Sequence, residues 1–181
     1  MCLWRRYLSA LILTPVLAST PAAYADAVNI PVTGTISGTC SLTKGSDFPP
    51  ANLATNGSVP ATAIVNCSTA FKIRATSANG ALKNVKPAQT NFTNTQPYTL
   101  TVSVPLDSGG PATSSCLASG LIAGQSACAL APAGAGLSSG TASATNKTAT
   151  LTAAWTVPTL PTRLLAGAYS DTISISISAA P

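Results

Sequence analysis

From Ala166 to Ala179 the chain alternates apolar and polar positions almost without fault. Ile173, Ile175 and Ile177 fall on one face of an extended strand, and Ser174, Ser176 and Ser178 on the other. A final strand this regular, followed only by Ala180 and Pro181, must be an exposed edge or be covered by something else. Exposed edges of that kind invite pairing with another chain. Upstream, β-branched segments punctuated by Pro and Gly predict strands over Val28–Ser37, Val59–Asn66, Ala70–Thr76, Tyr98–Val104, Lys147–Val157 and Ala168–Ser178. No stretch carries a 3.6-residue period, so the expectation is a single all-β sandwich of short strands. The stretch from Leu106 to Gly140 is rich in Gly, Ala and Ser, and reads as a poorly ordered insertion.

The same alternation appears near the other end. Val28, Ile30, Val32 and Ile36 share one parity, with Gly34 at the remaining site of that face. Just before this segment, Arg5 and Arg6 precede an apolar run from Leu8 to Ala18 and an Ala23-Tyr24-Ala25 cleavage pattern. Residues 1–25 therefore read as a signal peptide, and the apolar run is too short to span a membrane. The expected product is secreted or periplasmic, and its new N-terminus is a strand-patterned segment rather than the featureless one usual there. An ordinary first strand of the sandwich is the other reading of that segment.

The expected core comes from the alternating positions: Ile64, Phe71, Ile73, Leu100, Val102, Val104, Leu151, Ala153, Trp155, Tyr169, Ile173 and Ile175, with Trp155 as the anchor between sheets. Cys40, Cys67, Cys116 and Cys128 remain after leader removal, an even count that reads as two disulfides in an exported chain. Three pairings are possible. Cys40–Cys67 with Cys116–Cys128 is favoured because sequential pairs close short loops.

Charge and chemistry narrow the function. Charged residues are 7% of the chain, against a usual figure of about 25%, so solubility rests on Ser, Thr and Asn. Seven cations (Lys44, Lys72, Arg74, Lys83, Lys86, Lys147, Arg163) and four aspartates remain, the cations scattered along the sequence without interleaved aromatics, and nucleic acid is not an expected partner. The chain has no His and no Glu, which removes the commonest general base, the commonest metal ligand and most paired-carboxylate schemes. Gly136-Leu-Ser138-Ser-Gly140 matches the nucleophile-elbow pattern without the strand, helix or His that would give it meaning. Ser41-Leu-Thr-Lys44 matches S-x-x-K without its companion motifs. No enzyme activity, cofactor or metal is expected.

Three segments carry a resemblance. Val32-Thr-Gly-Thr-Ile-Ser-Gly-Thr-Cys40-Ser-Leu, Val65-Asn-Cys67-Ser and Ala166-Gly-Ala-Tyr-Ser-Asp-Thr-Ile-Ser-Ile-Ser-Ile together resemble the spore coat protein U class, which is similar to pilins of archaic chaperone–usher systems. The likeness frames the chain at both ends and leaves Ala78 to Gly140 generic. It implies an incomplete immunoglobulin-like sandwich over 39–181, lacking its final strand, preceded by a donor-strand extension over 26–38. A periplasmic chaperone and an outer-membrane usher would be its first partners, and neighbouring copies or related subunits its last. Val28, Ile30, Val32 and Ile36 would be knobs entering the next subunit's groove, with Gly34 where that groove is shallow. Tyr169, Ile173, Ile175 and Ile177 would line the receiving edge, and the Pro181 carboxylate would meet the chaperone. Such β-augmentation draws affinity from backbone bonds and specificity from alternate side-chain pockets. Pro31 removes one backbone donor from the extension, on the parity opposite the knobs. The second functional class is a self-contained secreted Ig-like binding module, with residues 26–37 as an ordinary strand.

Overall fold

The computed structural model describes residues 33–34, 36–159 and 162–180. The chain divides into Met1–Thr35 and Ile36–Pro181, and the fold below is that of the second unit. Its strands in chain order are β1 (Cys40–Ser46), β2 (Gly57–Cys67), β3 (Phe71–Ser77), β4 (Leu82–Asn84), β5 (Phe92–Thr93), β6 (Thr95–Gln96) and β7 (Thr99–Val104). They are followed by β8 (Ala112–Leu117), β9 (Leu137–Ser138), β10 (Ala144–Trp155), β11 (Arg163–Leu164), β12 (Tyr169–Ser170) and β13 (Ile173–Ala179). One antiparallel sheet runs β1-β2-β10-β7-β8. Against it stands a second layer ordered β13-β3-β9, continued by β12-β4-β6 after a break in both chains, with β11 and β5 as a short parallel pair. The molecule is an all-β sandwich.

The core lies between these layers. Alternation delivers it: Ala61, Ala63, Val65 and Cys67 from β2, Phe71, Ile73 and Ala75 from β3, and Leu100, Val102 and Val104 from β7 all face inward and are buried. Trp155 anchors the top of the five-stranded sheet as expected, its Nε1 donating to the Thr55 carbonyl at 2.9 Å. Its ring leaves no room for a side chain at Gly57, where a Cβ would stand 2.9 Å from Cζ2. Ile64 is a correction. It is 38% exposed, because Cys67 must point inward to reach Cys40 and the two-residue period then turns Ile64 to solvent. Ile173, Ile175 and Ala153 pack against the core but are only half-buried, and Tyr169, also half-buried, stands outside that cluster.

Two segments differ from expectation. The Gly/Ala-rich stretch from Leu106 to Gly140 is built into the fold, supplying β8, a 3-10 turn over Ala118–Leu121, and β9. Leu121, Leu130 and Ala131 within it are fully buried. Its small residues reflect close packing, since a Cβ on Gly120 would lie 3.1 Å from Ala127 and 3.2 Å from the Cys116 sulfur. The second difference is at the C-terminus, where Ala168–Ser178 is two strands, β12 and β13, interrupted at Asp171 and Thr172. The Asp171 carboxylate accepts the Thr172 amide at 2.8 Å and turns the chain there.

Both disulfides are the sequential ones, Cys40–Cys67 and Cys116–Cys128. The first joins directly opposed residues of β1 and β2, and the second ties the end of β8 to the segment below it.

Candidate functional site

The site is a gap between two sheet edges. β1 pairs only with β2, and β13 only with β3, so each presents an unpaired edge among the described residues. These two edges lie beside one another along the same side of the sandwich. Cys40 and Ala180 mark one end, held by Cys67 and by the Ala180 amide donating to the Ala70 carbonyl at 2.8 Å. From there the gap opens toward Phe48 and Ile173.

Two cavities of about 450 and 420 Å³ occupy it and share Phe48, Asp171 and Ile173, so they form one groove. The first is walled by Leu42 of β1 and by Ile173 and Ile175 of β13, over a floor of Ala61, Ala63 and Leu151. The second continues between Phe48, Leu53, Tyr98, Trp155 and Tyr169, over Val59 and Ala153. The floor is largely alanine, which is what leaves space above it. The isoleucines on the groove wall therefore point toward the interior yet stay half-buried. Chemically, this is an apolar cleft flanked by free backbone donors and acceptors, suited to an extended apolar segment.

Asp171 fixes the wide end. Its carboxylate accepts hydrogen bonds from Tyr98 Oη at 2.6 Å, Ser77 Oγ at 2.5 Å, the Asn79 amide at 3.0 Å and the Thr172 amide. The start of β13 is thereby pinned to the ends of β3 and β7. Burial, reinforced by the neighbouring carboxylate, pushes the Tyr98 phenol far above its ordinary pKa. Outside the groove, in the bend after β7, hydrogen bonds from Ser143 and Thr145 hold the Asp107 carboxyl well below the usual range, with Lys147 Nζ 3.1 Å away.

Of the residues read from sequence as the receiving edge, Tyr169, Ile173, Ile175 and Ile177 all stand on β12 or β13, the first three lining the groove. Pro181, Val28, Ile30 and Val32 lie outside the described residues. Gly34 and Ile36 belong to no strand, and Ile36 is 98% exposed. The opposite wall, β1 with Leu42 and Phe48, was not anticipated, nor was the alanine floor. The cysteines held the missing signal: pairing Cys40 with Cys67 places Ser41 to Lys44 alongside β2. Ser41 and Lys44 sit on β1, where Lys44 pairs with Asp47 at 2.8 Å, and Ser138 sits on the two-residue β9. No group of three or more potential metal ligands occurs among the described residues, and no described helix is long and apolar enough to cross a membrane.

Compared with known proteins, the chain matches no family model, and it has no significant similarity to a curated protein or a solved structure.

Proposed function

We propose that this protein is a structural subunit of a bacterial surface fibre or coat, assembled by donor-strand exchange. In this reading the groove between β1 and β13 receives residues 26–38 of a neighbouring subunit, after a periplasmic chaperone and an outer-membrane usher have held and delivered the protein. Adhesion or biofilm formation then belongs to the fibre. The observation that carries the reading is the apolar groove between two free edges, in a chain that also has a strand-patterned segment ahead of its sandwich. Export fits the two disulfides.

Side-chain burial alone would not hold such a segment in place. Burying Val28, Ile30, Val32 and Ile36 gives about 6–12 kcal/mol before ordering, at about 1.5–3 kcal/mol each. Ordering the segment costs about 1–2 kcal/mol per residue, so the ladder along β13 must contribute as well. β13 suits this, because its register with β3 runs from Ile173 to Ala179 without a bulge, whereas β1 is irregular between Lys44 and Ser46.

The test is to shear surface material from native cells and run it on a denaturing gel with and without boiling. A ladder of subunit multiples that collapses to monomer only on boiling is expected, and Ile30→Asp should abolish it while leaving a folded monomer. A single monomer band in both lanes would overturn the proposal. Deleting residues 26–37 separates the alternative, since a self-contained binding module with an ordinary first strand should then fail to fold.

A further inference from the structure

The cations look scattered in the sequence, but the fold sorts them. On the five-stranded sheet and its loops, Lys44 pairs with Asp47 and Lys147 with Asp107, so that layer is electrically neutral. The other five, Lys72, Arg74, Lys83, Lys86 and Arg163, all stand outside that sheet and form no ion pair among the described residues. The one acid with them, Asp171, is turned inward onto Tyr98 and Ser77.

Strand parity sets the arrangement of the central pair. Phe71, Ile73 and Ala75 face the core, so Lys72 and Arg74 face outward, about 7 Å apart along β3. Directly opposite them on β13 are Ser178 and Ser176, both exposed. Arg74 donates Nε to the Gly134 carbonyl at 3.1 Å, which fixes the guanidinium, and its terminal nitrogens make no hydrogen bond among the described residues. Lys83, exposed on β4, continues the row beyond the break, opposite Ser170 of β12.

We propose that this outer face binds an acidic polysaccharide. Cations spaced along an extended strand match carboxylates recurring along a polyuronate, the guanidinium of Arg74 offering paired donors to one of them. The flanking serine hydroxyls match sugar hydroxyls. Single-stranded nucleic acid is the poorer fit, because the strand positions paired with Lys72, Arg74 and Lys83 are all Ser or Thr and offer no ring on which a base could stack. The exposed Phe92 stands apart, opposite Arg163. The face is formed within one subunit, so the inference does not depend on strand exchange. A fibre would repeat it and raise the avidity.

The experiment measures binding of the exported, disulfide-bonded protein to immobilised polygalacturonate, with neutral dextran and single-stranded DNA as parallel surfaces. Expected is retention on polygalacturonate that falls as salt is raised, none on dextran, and weaker retention on DNA. The double variant Lys72→Gln/Arg74→Gln should bind at least about fivefold more weakly, the size of two lost surface charge contacts. Thr113→Asp/Thr150→Asp, which lowers net charge equally but on the outer face of the five-stranded sheet, should change binding by less than about twofold, an allowance for screening at this distance. Equal losses in the two double variants would overturn the proposal by reducing it to net charge. Tighter retention on DNA, or none on polygalacturonate, would overturn it too.

Discussion

The two long sides of the sandwich are built from similar residues to opposite ends. On one side, β8, β9 and the segment between them close the gap between the layers, and Leu121, Leu130 and Ala131 are driven to full burial there. The Leu130 carbonyl even accepts the Ala75 amide at 2.8 Å, satisfying β3 on that flank. On the other side, β1 and β13 leave their edges free, and Ile173, Ile175 and Ile177 are half-buried although they alternate as cleanly as β3 does. Hydrophobic pattern thus sets which way a side chain points. Whether it is buried depends on what stands across from it. Closing a side buries apolar area and adds stability, and the open side forgoes that gain.

The largest expected effect comes from the closed side. Phe71→Ala should destabilise by about 3–5 kcal/mol, because the ring is fully buried and its neighbours cannot collapse into the space. Ile175→Ala, an equally inward position on the open side, should cost only about 1–2 kcal/mol, since part of its surface is already in water. Urea unfolding of the isolated monomer reads both. A cost for Ile175→Ala as large as that for Phe71→Ala would mean that the groove is not open in solution.

Enlarging an alanine sharpens the same contrast. Ala75→Leu must force apart a packed interior and should cost about 1–3 kcal/mol. Ala63→Leu fills the groove floor, so the monomer should lose less than about 1 kcal/mol by the same overpacking measure. Under the strand-exchange reading its effect appears in assembly, as a weakened ladder on the unboiled gel. Unfolding midpoints for the two variants, set beside that gel, decide the matter.

How much of this was legible beforehand follows the same division. Strands whose inward faces are filled by large residues, β3, β7 and β10, announced themselves, because Phe71, Ile73, Leu100, Val102, Leu151 and Trp155 alternate with polar neighbours. β1 did not. Its Thr43-Lys44-Gly45-Ser46 run is polar since one edge and much of one face are exposed, and an edge strand lacks the burial that makes strands visible. The β8–β9 side was missed for the opposite reason. Its small residues suit close packing, yet Gly, Ala and Ser are also the composition of a loose loop, and composition cannot separate the two. Ile64 misled because three apolar residues in a row, Ala63, Ile64 and Val65, leave parity undecided until the disulfide fixes it.

The Asp171 cluster links the two sides, and it gives the alkaline limb of stability. Tyr98 keeps its proton far above the ordinary tyrosine value of 10.0 in the folded state. As pH rises past that value the unfolded chain releases the proton while the folded one holds it. The stabilisation is therefore complete below pH 10.0 and declines above it. Tyr98→Phe should flatten that decline and lower stability at neutral pH by about 1–3 kcal/mol, because Asp171 loses a buried donor. Urea midpoints at pH 7 and pH 10.5 (about half a unit past the phenol's usual value) separate the two effects. An unchanged alkaline slope in the variant would mean that Tyr98 is not the group responsible.

Asp107, in the bend after β7, gives the smallest effect and the opposite sign. Hydrogen bonds from Ser143 and Thr145 keep its carboxylate ionised in the folded state at pH values where the unfolded chain takes up a proton near 3.8. Its contribution is fully present above that value and is lost only as pH falls well below it. Asp107→Asn keeps the shape, turns one acceptor into a donor facing the Thr145 amide, and leaves Lys147 without its partner. The variant should therefore show a shallower fall in urea midpoint between pH 5 and pH 3 (the range spanning ordinary carboxylate titration) with little change in the groove. Groove binding of a peptide spanning residues 26–38, measured on the same variant, should stay within about twofold of the parent, because sites so far apart with no shared partner act additively. If both the acid slope and peptide binding moved together, the Asp107 bend and the groove would be coupled through the five-stranded sheet, and the groove would not be a rigid cleft.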